Sequence, residues 1–238
     1  MTELERNNSA RNAILASIRE HLAASREHDA IHNEGSALIE ARSVVSSSNG
    51  APLSLVALFK QKLEAVGGHC FVAETDQEIT AQLAKIISGL IDKSLPARRI
   101  VRSDAPMLDR LLKQTDIDVD PISACSNSEM FGYDIGLTTA QAAIAETGTL
   151  VLESESERHR LVSLVPPVHI AIIDAANICL TLGEALETVR RAGPAGMSPT
   201  VTLITGPSRT ADIELTLAIG VHGPQELYVI VRNGAAIS

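Results

Sequence analysis

The 238-residue sequence predicts an α/β fold: a mixed, mainly parallel sheet with helices on both faces and hairpins toward the C-terminus. Three observations carry that prediction. From about residue 52 onward, apolar residues recur alternately at helical and at strand spacing. Gly and Pro clusters separate these segments. Hydrophobic residues make up 45% of the chain but aromatics only 2%, so a large core must be built from Leu, Ile, Val and Ala.

The elements follow in order. Ile14, Leu15, Ile18 and Leu22 recur at helix spacing behind Ser9, a suitable N-cap. The Ser/Asn/Gly-rich stretch from Ala30 to Gly50 reads as a linker. Residues 1–50 are therefore a helical segment with its linker, and 51–238 form the compact domain. "LSLVALFKQKLEAVGG" puts Leu55, Leu58, Phe59 and Leu63 on one helix face, and Gly67-Gly68 stop it. "HCFVA" is a buried strand, and "DQEITAQLAKIISGLIDKS" is a helix with Asp76 as N-cap. "ARRIVRS" then reads as strand and "APMLDRLLKQT" as helix, the rhythm of parallel strands with crossover helices.

Past Asp120 the pattern changes. "LTTAQAAIAETGTLVLES" reads as a short helix capped by Thr138 or Thr139, then Gly148, then a strand. "RHRLVSLVPP" reads as a second strand, paired with the first across the acidic loop from Glu153 to Glu157. "VHIAIIDAA" is a strand, "LGEALETVRRAG" a helix and "PTVTLIT" a strand, and "ELYVIVRN" closes the domain.

Composition narrows the partners. A formal net charge of −9 and the scarcity of aromatics both oppose nucleic-acid binding. Cys70, Cys125 and Cys179 are far apart and form no C-x-x-C, so they cannot supply the four thiolates of an iron–sulfur cluster. No His, Cys or Asp pair has zinc spacing. No cofactor or metal is therefore expected in this chain. The N-terminus lacks the apolar core of a secretory signal, and no run of 18 apolar residues occurs. The expectation is a cytoplasmic protein with reduced thiols and no membrane span.

Chemistry concentrates in "TGPSRTADIELTLAIGVHGP", Thr205 to Pro224. From Ala211 to Val221 apolar residues hold the odd positions, which predicts one half-buried strand. Along it Asp212 and Glu214 share a face ~7 Å apart, while Asp212 and His222 stand roughly 33 Å apart. The stretch thus splits in two. "TGPSRT" ends the preceding strand, where ligand crevices of open α/β sheets lie. "VHGP" becomes a turn entering the final strand as a hairpin. Gly206 permits close backbone approach, and Ser208, Arg209 and Thr210 offer donors to a carboxylate or phosphate. An ordinary Gly-Pro turn with Arg209 paired to Asp212 or Glu214 explains the loop equally well.

A second site is "AETGT", Ala145 to Thr149, where Glu146 and Thr147 project from a junction and Gly148 caps a helix. Glu146 there is either a nucleophile or base, or a solvated helix end. His169 reads as a hydrogen-bonded structural histidine. Phe131 and Tyr133 read as loop anchors or, alternatively, as substrate contacts.

Taken together, "YDIGLTTAQAAIAETGTLVL", "RLVSLVPPVHIAII" and "ITGPSRTADIELTLAIGVHGPQELYVIV" resemble the lactate utilization protein C family, which carries the LUD domain. The resemblance spans Tyr133 to Val231; the N-terminal half matches only in its helix–strand rhythm. It implies a LUD domain over 51–238, with a fold like that of sugar-phosphate isomerases and CoA transferases. It implies a cluster-free component working with two iron–sulfur partner proteins in the oxidation of L-lactate to pyruvate. The chain itself would bind a small anionic metabolite or organise the redox partners. A stand-alone enzyme of the isomerase or CoA-transferase kind is the alternative, and a pure interaction module is a third. Carried over residue by residue, the motifs give Glu146, Asp212 and His222 as candidate catalytic groups. They give Thr147, Gly148, Thr149, Gly206, Ser208, Arg209 and Thr210 as candidate ligand contacts.

Overall fold

The computed structural model describes residues 15–17, 54–92, 99–154, 159–192, 200–211, 217–219 and 223–234. The chain divides into two units, Met1–Pro52 and Leu53–Ser238. In the first, residues 15–17 are helical; the rest of the expected helix and its linker lie outside the described residues.

The second unit opens with α1 (Leu55–Ala65), capped by Ser54, whose hydroxyl accepts from the Ala57 N–H at 3.2 Å. β1 (His69–Ala73) and α2 (Asp76–Asp92) follow. Thr75, rather than Asp76, caps α2: its hydroxyl accepts from the Glu78 N–H at 3.2 Å. Then come β2 (Ile100–Arg102), α3 (Pro106–Leu112), β3 (Asp120–Pro121) and β4 (Ile135–Thr139). β5 (Ala142–Ile144), β6 (Thr149–Glu153), α4 (His159–Leu164), β7 (Val168–Asp174), β8 (Ile178–Cys179) and α5 (Leu182–Ala192) continue the chain. β9 (Val201–Ile204), β10 (Arg209–Ala211), β11 (Leu217–Ile219) and β12 (Glu226–Arg232) complete it.

Two sheets share the core. The larger has the order β1-β12-β7-β4-β2-β3, and every pairing in it is parallel. The smaller has the order β8-β5-β6-β9, with antiparallel β5–β6 and β6–β9 pairs. The expected α/β architecture is present: the large sheet is wholly parallel, and the small sheet is mixed, with β5 and β8 parallel. Strands buried on both faces need apolar side chains at every position. β7 and β12 supply them: Ile170, Ile172 and Ile230 face α2 and α3, where Ile79, Leu83 and Leu108 meet them. Ala171, Ile173 and Val229 face the other way, against Phe59 and Leu63 of α1 and Leu150 and Leu152 of β6. Ala185 and Val189 of α5 cover the outer face of the small sheet. Each fully buried Leu or Ile contributes about 1.5–3 kcal/mol.

Three segments differ from the sequence reading. The helix expected after Thr138 is instead the end of β4, then β5 and a turn from Ala145 to Gly148. Gly148 does take the left-handed region, at φ +68°, but as a hairpin residue. "HRLVSL" is helical rather than a strand, so β6 pairs with β5 and β9 instead. A short apolar run fits either period; the decision comes from Gly136 on β4. A Cβ there would lie 1.8 Å from the Val162 carbonyl oxygen, so the α4 backbone rests directly on the strand. Finally, in place of one long strand from Ala211 to Val221, the described residues show β10, ending at Ala211, paired antiparallel with β11, and β12 joins no hairpin but runs parallel between β1 and β7.

Gly136→Ala should cost about 3 kcal/mol or more in urea unfolding, because backbone rather than a side-chain tip must yield. A loss under about 0.5 kcal/mol would contradict that packing. Cys70, buried on β1, has its thiol pushed up from 9.0 to about 12, chiefly by burial and against the opposing pull of Lys60. The fold favours the protonated thiol. Its contribution is complete below pH 9.0 and is lost as pH rises toward 12. Iodoacetamide at pH near 8 should therefore label Cys125 and Cys179 well before Cys70, read by peptide mass mapping.

Candidate functional site

The last turn of α1 is where the site begins. After Ala65 the chain turns through Val66 and Gly67, whose φ is +91°. The Gly68 N–H returns to the Leu63 carbonyl at 3.0 Å and the Gly67 N–H to Glu64 at 3.0 Å, closing the helix. Two loops from distant parts of the sequence rest on this turn. Gly148 lies against its backbone, where a Cβ would come within 2.3 Å of the Leu63 nitrogen. Gly206, at φ +79°, lies against the Val66 carbonyl, where a Cβ would come within 2.9 Å. Larger residues would hold both loops off the helix.

Side chains then lock the loops. The Arg209 guanidinium donates to the Val66 carbonyl at 2.9 Å and occupies the space left by Gly67. A cation at a helix C-terminus also complements the helix dipole. Thr147, Thr149 and Thr205 form a chain of hydroxyl contacts, each 2.7 Å, that ties the β5–β6 turn to the end of β9. The Ser208 N–H donates to the Pro224 carbonyl at 2.8 Å, which brings the second Gly-Pro pair beside the first.

The doubling back of β10 on β11 makes that meeting possible: Arg209 pairs with Ile219, not with a residue further along one extended strand. The separation expected between the two Gly-Pro ends is therefore overturned. Gly206, Pro207, Gly223 and Pro224 border one cleft of about 520 Å³. Thr205, Ser208 and Arg209 line it, with Ser163 of α4 and His169 of β7. His169 is fully buried, and its Nε2 lies 2.8 Å from the Thr138 hydroxyl on β4. The cleft sits at the amino ends of β7 and β12, whose second residues are His169 and Leu227. The loop does follow the carboxyl end of β9, as its position predicts, but relative to the large parallel sheet the cleft lies at the amino ends rather than the carboxyl ends. There, Arg232 is instead engaged by Asp174 and, at 3.9 Å, by Asp76, beside a smaller hollow of about 350 Å³.

The predicted residues fall in four groups. Gly206, Ser208 and Arg209 line the cleft, and Thr147, Gly148 and Thr149 stand behind it as its support. Thr210 is on β10, opposite Ala218. Glu146 is exposed in the β5–β6 turn, where its N–H donates to the Leu180 carbonyl, and is not among the residues lining the cleft. Asp212, Glu214, Gly220 and His222 lie outside the described residues. Among the described residues, no cluster of three or more His, Cys, Asp or Glu side chains could hold a metal ion. No helix among them is long and apolar enough to cross a membrane.

Several lining residues were missed or misread. Val66 passed as the end of an ordinary helix, and Ser163 and Leu164 belonged to the segment read as a strand. His169 is the structural histidine expected, and it also borders the cleft. Tyr133 is a buried anchor: its hydroxyl donates to Asp120 at 2.8 Å and lies 3.1 Å from the Cys125 thiol. Burial first, then these partners, push its phenol up. Phe131 is no such anchor, being 83% exposed.

Thr149→Val should cost about 1–3 kcal/mol in denaturant unfolding, since it leaves the Thr147 and Thr205 hydroxyls without their shared partner. A variant as stable as the parent would show that the threonine chain does not hold the loops.

Comparison with known proteins agrees with the motifs. The LUD domain model matches residues 56–231. An uncharacterized protein of Neisseria meningitidis is 46% identical over 97 residues, covering 41% of each chain. Lactate utilization protein C of Shouchella clausii is 38% identical over 102 residues, covering 42% of this chain and 44% of its own. The chain thus spans about two fifths of these two relatives. Lactate utilization protein C of Halalkalibacterium halodurans aligns at greater length, 27% identical over 73% of this chain and 80% of its own. A crystal structure of a DUF162 family protein from Deinococcus radiodurans superposes with a TM-score of 0.53 at 26% identity, covering 76% of this chain and 99% of that one. On a match that runs from α1 through β12, this chain belongs to the LUD domain family.

Proposed function

We propose that this chain is the cluster-free component of a cytoplasmic system that oxidises L-lactate to pyruvate, working beside two iron–sulfur proteins. Its part is to bind a small anionic metabolite in the cleft at the end of α1. One observation carries the reading: two of the motif segments line the cleft and the first supports it through Thr149, so that Arg209, Thr205 and Ser208 all line one hollow. A guanidinium and hydroxyls lining one cleft suit a carboxylate or phosphate. The relatives named lactate utilization protein C support the metabolic setting.

The division of labour follows from the chemistry. Oxidising L-lactate to pyruvate removes a pair of electrons and two protons from the hydroxyl-bearing carbon and its oxygen. Three dispersed cysteines give this chain no set of four thiolates, so the electrons pass to the iron–sulfur partners. This chain supplies recognition.

Reconstitution of the three proteins tests the proposal. Lactate-dependent reduction of an artificial electron acceptor should fall to background when this chain is omitted. With Arg209→Ala in its place, turnover should fall about tenfold or more, the equivalent of one lost charge-assisted hydrogen bond. Full turnover without the chain would refute the reading.

A further inference from the structure

We propose that the ligand of this cleft is amphipathic: an anionic head group on an apolar body larger than lactate. The inference rests on the anion-binding reading above and concerns what the rest of the cleft accepts.

The cleft is lined by two kinds of residue. Arg209, Ser208 and Thr205 supply polar groups. Leu164, Leu203 and Leu227, with Val66, Ile204 and Pro224, supply apolar surface. Leu203 is 48% exposed and Leu164 37% exposed, and both line the cleft, whereas the other exposed aliphatic side chains among the described residues, Leu55, Val72, Ile91 and Leu182, do not. Aliphatic surface left open inside a concave site, beside a few convergent polar groups, is the usual composition of a small-molecule pocket. The positions are also specific. Leu203 stands on β9, an edge of the small sheet, and Leu164 ends α4, so two independent elements each direct an aliphatic side chain to one hollow.

Size points the same way. At about 520 Å³ the cleft falls among pockets that enclose drug-sized ligands. L-lactate would engage Arg209 and leave the aliphatic wall in water. A head group carrying a chain or flat apolar body engages both. The charged head stays at Arg209, where it meets the guanidinium that already neutralises the negative end of α1.

Isothermal titration of the full chain with a graded set of ligands tests this. The set is L-lactate, acetate, butyrate, octanoate, octyl phosphate and octanol. Affinity should rise with each carboxylate of the series, by up to about fourfold per buried methylene. Octanoate or octyl phosphate should exceed octanol by about tenfold or more, and the better of the two names the head group. Arg209→Ala should remove the preference over octanol, while Leu203→Ser should flatten the chain-length dependence. The series on the unaltered protein stands even where a variant fails to fold. Equal affinity from acetate to octanoate, octanol binding as tightly as octanoate, or L-lactate binding more tightly than octanoate would each overturn the inference. The two readings separate cleanly: the titration scores the cleft, and the three-protein turnover scores the lactate system. A flat series beside intact lactate turnover sinks only this inference, whereas a rising series beside turnover that persists without the chain sinks only the metabolic assignment.

Discussion

Everything in the candidate site depends on one close approach, the seating of two loops on the last turn of α1. Among the described residues three glycines have positive φ, and all three meet at this turn: Gly67 in it, Gly148 and Gly206 on it. Left-handed backbone is inexpensive only for glycine. Here the conformational freedom is spent on proximity. Without a Cβ at 148 and 206, backbone packs on backbone, and the threonine chain and Arg209 come within hydrogen-bond reach. The cleft is the space left beside that junction.

The arrangement explains why a helix in the less diagnostic half of the chain matters. α1 buries Leu58, Phe59 and Leu63 against the large sheet, so its axis is fixed by the core. Its C-terminus is then a rigid platform with carbonyl groups that need partners. Arg209 supplies one, and by doing so holds its charge at the mouth of the cleft. Stability and recognition thus share a side chain. The same economy governs α4, where Gly136 lets the helix backbone lie on β4 and so delivers Ser163 and Leu164 to the opposite wall.

Much of the fold is legible in the linear pattern, and the failures have physical causes. The buried strands β7 and β12 announce themselves as continuous aliphatic runs, and α1 and α2 as stripes at helical spacing, whereas β1, read as a buried strand, is an edge strand that exposes His69 and Val72. α4 was misread because six residues are too few for periodicity to distinguish helix from strand, and the deciding contact comes from Gly136, more than twenty residues earlier. β10 and β11 were fused because alternation continues through a chain reversal: inside-out spacing describes which face a residue takes, not which way the strand runs. The candidate site was half legible. Gly206, Ser208 and Arg209 stood out by residue type. The seat for Arg209 at Gly67 did not, because a slot made by an absent side chain leaves no mark in local sequence. The amino-end location of the cleft likewise required topology, since β9 belongs to the small sheet and its carboxyl end abuts the start of β12.

If the α1 turn is the common seat, Gly148 and Gly206 must be energetically coupled through it. A double-mutant cycle of Gly148→Ala and Gly206→Ala, read by denaturant unfolding, measures this directly. Once one alanine has displaced its loop and relaxed the turn, the second should cost less, giving a coupling of about 1 kcal/mol or more. Additivity within about 0.3–0.5 kcal/mol would mean that the two loops dock independently, and that the turn is not what holds the site together.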